Sequence, residues 1–193
     1  MPYILSKLGF DVWVGNNRGT KYSQQEKDRK GYWDFGFDEL AKFDVPALIG
    51  SVLKEASADK LLYIGHSQGS TQFKAALLEN PELGNQIQAF IALGPVISLN
   101  NVESHTILNM LAKYPLLEFY KFLGFKTLLH LPPWMNRCVG VLIYNTGIYF
   151  KGFLGIVNLL CGYTKESNFD LERFGVIIAH EPGGASVNNI LQW

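Results

Sequence analysis

The sequence has no excess of charge of either sign and very little cysteine. Seventeen lysine and arginine residues balance seventeen aspartate and glutamate residues, so no net field attracts nucleic acid or an anionic membrane surface. The two cysteines, Cys138 and Cys161, lack the CxxC spacing and the nearby histidines of a zinc site. We therefore expect no nucleic-acid partner and no metal. The cysteines can form one disulfide or remain two buried thiols.

Several short motifs are also absent. The chain has neither GxxxxGK nor GxGxxG, which excludes the usual phosphate-loop and dinucleotide sites, and we expect no cofactor. No basic segment followed by an apolar run and a small-residue cleavage site precedes Leu5, so these residues hold no signal peptide. The chain begins with "MPYILSKLGFDVWVG", in what reads as the middle of a helix. We expect this start to be a truncation.

Apolar strands alternate with helical segments in the first half of the chain. Hydrophobic residues make up 48% of the sequence, which is enough to bury a core. Three apolar stretches predict buried strands: "DVWVG" (11–15), "LLYIG" (61–65) and "IQAFIALGPV" (87–96). Helical segments between them indicate a parallel sheet covered on both faces, so the predicted fold class is α/β. Between the first two strands, Asp44 is predicted to cap a fresh helix with Pro46 in its first turn.

The alternation of strands and helices stops at Ile97. Residues 97–179 are aromatic and apolar, and Pro115, Pro132, Pro133 and a series of glycines break them into several predicted short helices. The part from 138 to 164 carries a single charge, yet its asparagines and glycines make it a poor membrane span. We interpret residues 97–179 as an inserted helical cap.

The pentapeptide "GHSQG" at 65–69 carries the chemistry. GxSxG arises easily by chance, but here a strand comes just before it and a helix just after, which is the setting of a nucleophile elbow. The serine at so sharp a turn is strained, and side chains at Gly65 and Gly69 are expected to collide with the neighbouring strand and helix. We predict Ser67 as the nucleophile, with the Gln68 backbone N–H in the oxyanion hole. The alternative is an ordinary strand-to-helix turn.

Six segments occur in an order that matches a known family. They are "GFDVWVGNNRG", "YWDFGFDELAKFDVPA", "YIGHSQGST", "IALGPV", "LLCGY" and "HEPGGASVNNILQW". Together they resemble the acid lipase family of α/β-hydrolases, which includes gastric lipase, lysosomal acid lipase and fungal steryl ester hydrolases. The resemblance implies a partial α/β-hydrolase core in residues 1–96, a helical cap or lid in residues 97–179 and a return to the core in residues 180–193.

The resemblance also implies a function. Triacylglycerol or steryl esters would be hydrolysed through an acyl-enzyme on Ser67, and the cap would contact a lipid interface. The family's secretory and lysosomal members imply the secretory pathway or the lysosome. Two alternatives stay open, a different capped hydrolase such as a thioesterase or small-ester esterase, and a non-catalytic lipid-binding remnant. The choice of substrate and the oligomeric state are not predicted.

The base that Ser67 needs is difficult to find. His66 is predicted to pack beside the elbow, whereas His105 and His130 fall in the predicted cap. Asp170 and His180 follow Ser67 in the hydrolase order, but ten residues between acid and histidine leave little room for a helix.

The resemblance places the acid and the histidine past Trp193. It also implies an upstream His-Gly segment, missing from this sequence, that follows a further strand and supplies the other oxyanion N–H. In the family's sheet that strand lies between the strands predicted at residues 11–15 and 61–65. We therefore expect a fragment whose sheet has a gap, with exposed apolar surface and no competent triad.

Overall fold

The computed structural model describes residues 1–23, 30–98, 115–128, 132–146, 152, 155, 173, 176–177, 179–180 and 183–192. The chain divides into two compact units, Met1–Leu99 with Gln192–Trp193, and Asn100–Leu191. Most of the predicted cap lies outside the described residues. The predicted division into a core, a cap and a return therefore stays a prediction.

The first unit is a small α/β structure. Strands β1 (Leu61–His66) and β2 (Ile87–Leu93) pair in parallel along their length, which agrees with the predicted fold class. Helix α4 (Gln68–Glu79) follows β1 directly, and a short 3₁₀ turn, Pro81–Gln86, leads into β2. The elements of this unit are α1 (Pro2–Lys7), α2 (Phe37–Glu39), a π-type turn (Leu40–Asp44), α3 (Val45–Ala56), β1 (Leu61–His66), α4 (Gln68–Glu79) and β2 (Ile87–Leu93).

The helical run that ends in α3 differs in one respect from the sequence-based expectation. Pro46 lies in the first turn of α3, as predicted. The wide π-type turn, Leu40–Asp44, comes immediately before this helix. Pro46 favours it, because proline lacks an N–H donor and its ring crowds the preceding turn. The prediction that Asp44 caps a fresh helix was wrong. Its backbone is already helical and its side chain makes no capping bond, because the carboxylate binds Arg18 instead.

The hydrophobic core of the first unit lies between α3, α4 and the sheet. Phe73 of α4 is fully buried and stacks on Tyr63 of β1, with ring centroids 4.1 Å apart. Phe90 of β2 lies 4.7 Å from the Phe73 ring, so the aromatic cluster joins both strands to the helix. The other fully or nearly fully buried members of the core are Ala41, Val45, Ile49, Ala76 and Leu83.

Residues 11–15 do not form the predicted strand. Their backbone forms no ladder with any described residue, and Trp13 and Val14 are 49% and 69% exposed. A strand exists only where a neighbour accepts and donates its backbone hydrogen bonds, and no described segment lies beside these residues in that way. The exposed apolar side chains are what a gap in the sheet would produce.

The second unit packs residues 115–128 against residues 185–191. Strands β3 (Thr127–Leu128) and β4 (Ala185–Ser186) pair antiparallel. The Ser186 hydroxyl accepts the Asn189 N–H at 3.1 Å and so caps the helix that follows. Helices α5 (Leu116–Phe122) and α6 (Pro133–Thr146) begin at the predicted proline breaks, and α7 (Val187–Leu191) completes the unit. None of the helices in the described part of the chain has the length and apolar character needed to cross a membrane.

A glutamine from the end of the chain caps the helical run that starts at Phe37. The N-cap residue, Gly36, has no side chain, and the Phe37 N–H donates to the Gln192 side-chain oxygen. The Gln192 amide nitrogen donates to the Asp38 carboxylate at 2.8 Å, and the Gly36 N–H donates to Glu39 Oε2 at 2.7 Å. Gln192 therefore supplies the cap that Gly36 cannot.

Replacing this remote cap is expected to destabilise the first unit. Gln192→Ala should lower the free energy of unfolding by about 1 kcal/mol, the usual effect of losing an N-cap. The measurement is urea unfolding followed by circular dichroism. Gln86→Ala, an exposed position in the 3₁₀ turn, is the matched control and should change stability by less than about 0.5 kcal/mol. Equal stability of the two variants would contradict the capping role.

Candidate active site

Ser67 lies at the junction of β1 and α4 in a strained backbone conformation. Its φ is 50° and its ψ is −122°. Among the described residues other than glycine, only Ser57 and Ser67 have positive φ. Ser57 has the ordinary left-handed geometry that ends a helix, whereas the ψ of Ser67 lies outside that region. Such strain concentrates at functional sites, where the surrounding structure enforces it.

Backbone hydrogen bonds hold Ser67 on both sides. Its N–H donates to the Leu93 carbonyl at the end of β2, at 2.9 Å, and its own carbonyl accepts the Ser70 N–H at 3.0 Å. The side chain of Ser67 is half-buried, and its hydroxyl makes no hydrogen bond within the described residues. The elbow therefore fixes the backbone of Ser67 and leaves the hydroxyl available to another group.

Gly65 is required by the close approach of α4 to the end of β1. A Cβ at Gly65 would lie 2.8 Å from the carbonyl carbon and oxygen of Gly69 and from the nitrogen of Ser70. These are backbone atoms, which cannot move aside as a side chain can. The predicted collision is present at this position.

The same prediction is wrong for Gly69. A Cβ built there has no atom within 4 Å, and Gly69 has no positive φ. The reason is that Gly69 already lies in the first turn of α4, where the side-chain direction points away from β1. Gly69 belongs to the elbow through its backbone, which packs against Gly65, and the described structure does not require the absence of its side chain.

Gln68 is the first residue of α4, directly after Ser67. The aligned peptide dipoles make the start of a helix electropositive. The first turn of α4 contains no acidic residue that would offset this potential. The geometry is suited to an oxyanion at Ser67, and the role of the Gln68 N–H stays a prediction.

An amide pair behind the elbow was not predicted. Gln72 of α4 is 4% exposed, and its side chain exchanges two hydrogen bonds with Asn17, at 3.0 and 3.3 Å. Burial raises the pKa of the nearby Tyr63 phenol, and its hydrogen bond with Gln72 acts in the opposite direction. Asn17 follows the predicted strand 11–15, and the carboxyl ends of parallel strands share one edge of a sheet. That position in the sequence could have indicated that Asn17 lies near the site.

The loop that holds Asn17 is also fixed by an ion pair. The Arg18 guanidinium contacts Asp44 Oδ1 through Nη2 at 2.6 Å and through Nε at 2.7 Å, and the Arg18 N–H donates to Asp44 Oδ2 at 2.8 Å. The Asp44 side chain is 10% exposed, so these bonds form in a largely desolvated place. The loop is therefore anchored to the helical run on one side and to α4 on the other.

The described histidines are not bonded to Ser67. His66 is exposed, which corrects the expectation that it packs beside the elbow; its place at the last position of β1 turns its side chain away from the core. His180 is also exposed, and its Nδ1 lies 2.8 Å from the Val176 carbonyl oxygen. His105, His130 and Asp170 lie outside the described residues.

Both predicted cysteine arrangements are wrong at Cys138, which is a free thiol rather than half of a disulfide and is exposed rather than buried. Cys161 lies outside the described residues. In the described part of the chain, no three histidine, cysteine or acidic side chains lie close enough together to hold a metal ion.

Comparison with known proteins gives a consistent family assignment. The sequence profile of the α/β hydrolase fold family matches residues 1–142. The chain is 35% identical to the lysosomal acid lipase/cholesteryl ester hydrolase of Macaca fascicularis, over 100% of this chain and 48% of the relative. It is 32% identical to the gastric triacylglycerol lipase of Rattus norvegicus, over 100% of this chain and 49% of the relative. Human lipase member M is 33% identical, over 100% of this chain and 46% of the relative. The chain thus spans about half the length of the curated relatives it matches.

The two glycines of the elbow are expected to respond differently to the same substitution. Gly65→Ala forces a Cβ against backbone atoms and should lower the free energy of unfolding by about 1–3 kcal/mol, the usual cost of overpacking. Gly69→Ala meets open space within a helix, and it should leave stability unchanged or raise it by up to about 1 kcal/mol. Thermal or urea unfolding of the two variants provides the measurement. A larger loss from Gly69→Ala would show that the described approach of α4 to β1 is incorrect.

Proposed function

This chain belongs to the acid lipase family of α/β-hydrolases, and from that membership and the geometry of Ser67 we propose that it is part of a serine hydrolase of lipid esters. The observation that carries the proposal is the strained Ser67 at a strand-to-helix junction, which is the geometry of a nucleophile elbow. The relatives are named for acting on triacylglycerol or cholesteryl ester. We propose one of these two ester classes as the substrate.

The proposed reaction proceeds through an acyl-enzyme. Ser67 Oγ attacks the ester carbonyl carbon while its proton passes to a base, and the carbonyl oxygen becomes an oxyanion that accepts the Gln68 N–H. The tetrahedral intermediate expels the alcohol, which takes up the proton, and leaves the acyl group on Oγ. Water then repeats the sequence and releases the fatty acid. Gly65 allows the turn that exposes Ser67, and Leu93 fixes its N–H.

The base is the part that the described residues do not supply. Neither His66 nor His180 is hydrogen-bonded to the Ser67 hydroxyl. A serine without its base keeps only binding and oxyanion stabilisation, because loss of a triad member removes most of the rate acceleration. We propose that these 193 residues by themselves are not a competent hydrolase.

Helix α5 provides a surface suited to lipid. Leu117 is buried within the second unit, whereas four other apolar side chains of this region, at one-turn spacing, face outward. Their exposed fractions are 49% for Leu116, 59% for Phe119, 84% for Phe122 and 56% for Leu123. A helix that is apolar on both sides needs a second apolar environment. We propose that this stripe, 116, 119, 122 and 123, contacts a lipid interface.

The proposed location follows the relatives. Two of them are named for the lysosome and the stomach, both of which are reached through the secretory pathway. We propose the secretory pathway or the lysosome for the protein that contains these residues.

Ser67 is expected to react slowly with a fluorophosphonate probe. In the 193-residue chain, labelling should be slow, abolished by Ser67→Ala, and accelerated by added imidazole, which substitutes for the base that the described residues do not supply. Ser51→Ala, at an exposed position of α3, is the matched control for loss of a serine hydroxyl. Mass spectrometry of the labelled peptide gives the site and the rate.

The other outcomes of this experiment are also informative. Rapid labelling abolished by Ser67→Ala would show that a residue of this chain acts as base. Labelling that Ser67→Ala does not change, with no response to imidazole, would overturn Ser67 as the nucleophile and would favour a non-catalytic lipid-binding protein.

The stripe on α5 is expected to carry binding to a lipid surface. Phe119→Ser with Phe122→Ser should reduce the partition coefficient for binding to trioleoylglycerol droplets coated with phosphatidylcholine at least about tenfold. Each buried phenylalanine contributes about 1.5–3 kcal/mol, and about 1.4 kcal/mol corresponds to tenfold. Tyr3→Ser with Phe10→Ser, two exposed aromatic positions of the first unit, is the matched control. An equal loss in both double variants would contradict a specific role for the stripe.

A further inference from the structure

Two consecutive hydroxyl groups at the start of α4 bind carbonyls that lie outside the helix. Ser70 is fully buried, and its Oγ donates to the Gly65 carbonyl of β1 at 2.7 Å. The Thr71 hydroxyl donates to the Val96 carbonyl, beyond the end of β2. Serine and threonine inside helices ordinarily bond the carbonyl one turn earlier in their own helix. Here one hydroxyl tethers the helix to β1 and the other tethers it to the segment that follows β2.

These tethers act on the segment that holds Ser67. The Ser67 N–H binds Leu93 and the Thr71 hydroxyl binds Val96, so residues 93–96 are fixed to the elbow at both ends. Between these two points the chain turns at Gly94, whose φ is +50°. The Ser70 bond fixes the chain on the β1 side of Ser67, because its acceptor, the Gly65 carbonyl, lies two residues before Ser67. Ser67 therefore lies between two bonds from the first turn of α4, one to β1 and one to the segment that follows β2.

We infer that Ser70 and Thr71 are positioning residues that hold Ser67 in its strained conformation. A positive φ with ψ near −122° persists only when neighbouring bonds over-determine it, and these two hydroxyls supply the side-chain bonds that do so. Their importance for catalysis rests on the proposed function of Ser67. Their effect on its backbone does not, so the two can fail separately.

The test measures the backbone of Ser67 rather than turnover. Thr71→Val removes the hydroxyl and keeps the volume, whereas Thr71→Ser keeps the hydroxyl. In nuclear magnetic resonance spectra of the 193-residue chain, the three-bond HN–Hα coupling and the Cα and Cβ shifts of Ser67 report its φ. We expect the positive-φ signature to be lost or exchange-broadened in Thr71→Val and retained in Thr71→Ser.

Further variants separate positioning from ordinary stabilisation. Ser70→Ala removes one oxygen atom without overpacking and should cause the same loss at Ser67, which keeps the test decisive if Thr71→Val does not fold. Thr127→Val makes the matched change in β3, where the hydroxyl bonds no described residue, and should leave Ser67 unchanged. Unaltered Ser67 signals in folded Thr71→Val or Ser70→Ala, with only a lower unfolding free energy, would overturn the inference. If Ser67 responds as expected yet never reacts with fluorophosphonate, the proposed function fails and the positioning role stands.

Discussion

The first turn of α4 lies so close to the end of β1 that no side chain fits between them. Backbone atoms of residues 69 and 70 would lie 2.8 Å from any Cβ at Gly65. This contact leaves Ser67 too little chain to turn from a strand into a helix with ordinary angles, and its positive φ follows. The same contact points the electropositive start of α4 at the serine. The strain at Ser67 and the local field both depend on this close approach, which the Ser70 and Thr71 hydroxyls hold in place.

The rest of the first unit keeps that approach in place. The stacked rings of Tyr63 and Phe73 join β1 to α4. Movement of the helix along the strand would break this stacking. Gln72 ties the helix to the loop at Asn17. The ion pair of Arg18 with Asp44 then ties that loop to the helical run that ends in α3. Each of these contacts lies within the same unit as Ser67.

Features that depend on a few neighbouring residues could be predicted from the sequence, whereas contacts between distant residues could not. The elbow, β1, α4 and β2 were predictable because apolar runs, GxSxG and their spacing are encoded within a few residues. Residues 11–15 have the composition of a strand, but a strand depends on a neighbour that the local pattern does not reveal. Asp44 has the residue type of a helix cap, but its carboxylate binds Arg18, 26 positions away. The tether from Thr71 to Val96 spans 25 positions and has no local signal at all.

Positioning and activation of the serine are physically separate in this fold. The geometry of Ser67 depends on backbone contacts between β1, α4 and β2 and on the hydroxyl bonds of Ser70 and Thr71, all of which form without any histidine. Removal of its proton depends on a base that accepts a hydrogen bond from the Ser67 hydroxyl, and no described residue does so. Strain alone does not make a hydroxyl nucleophilic, because the energy it stores does not change which group accepts the proton. An elbow of this kind therefore distinguishes a hydrolase from a lipid-binding relative only when its base is in place.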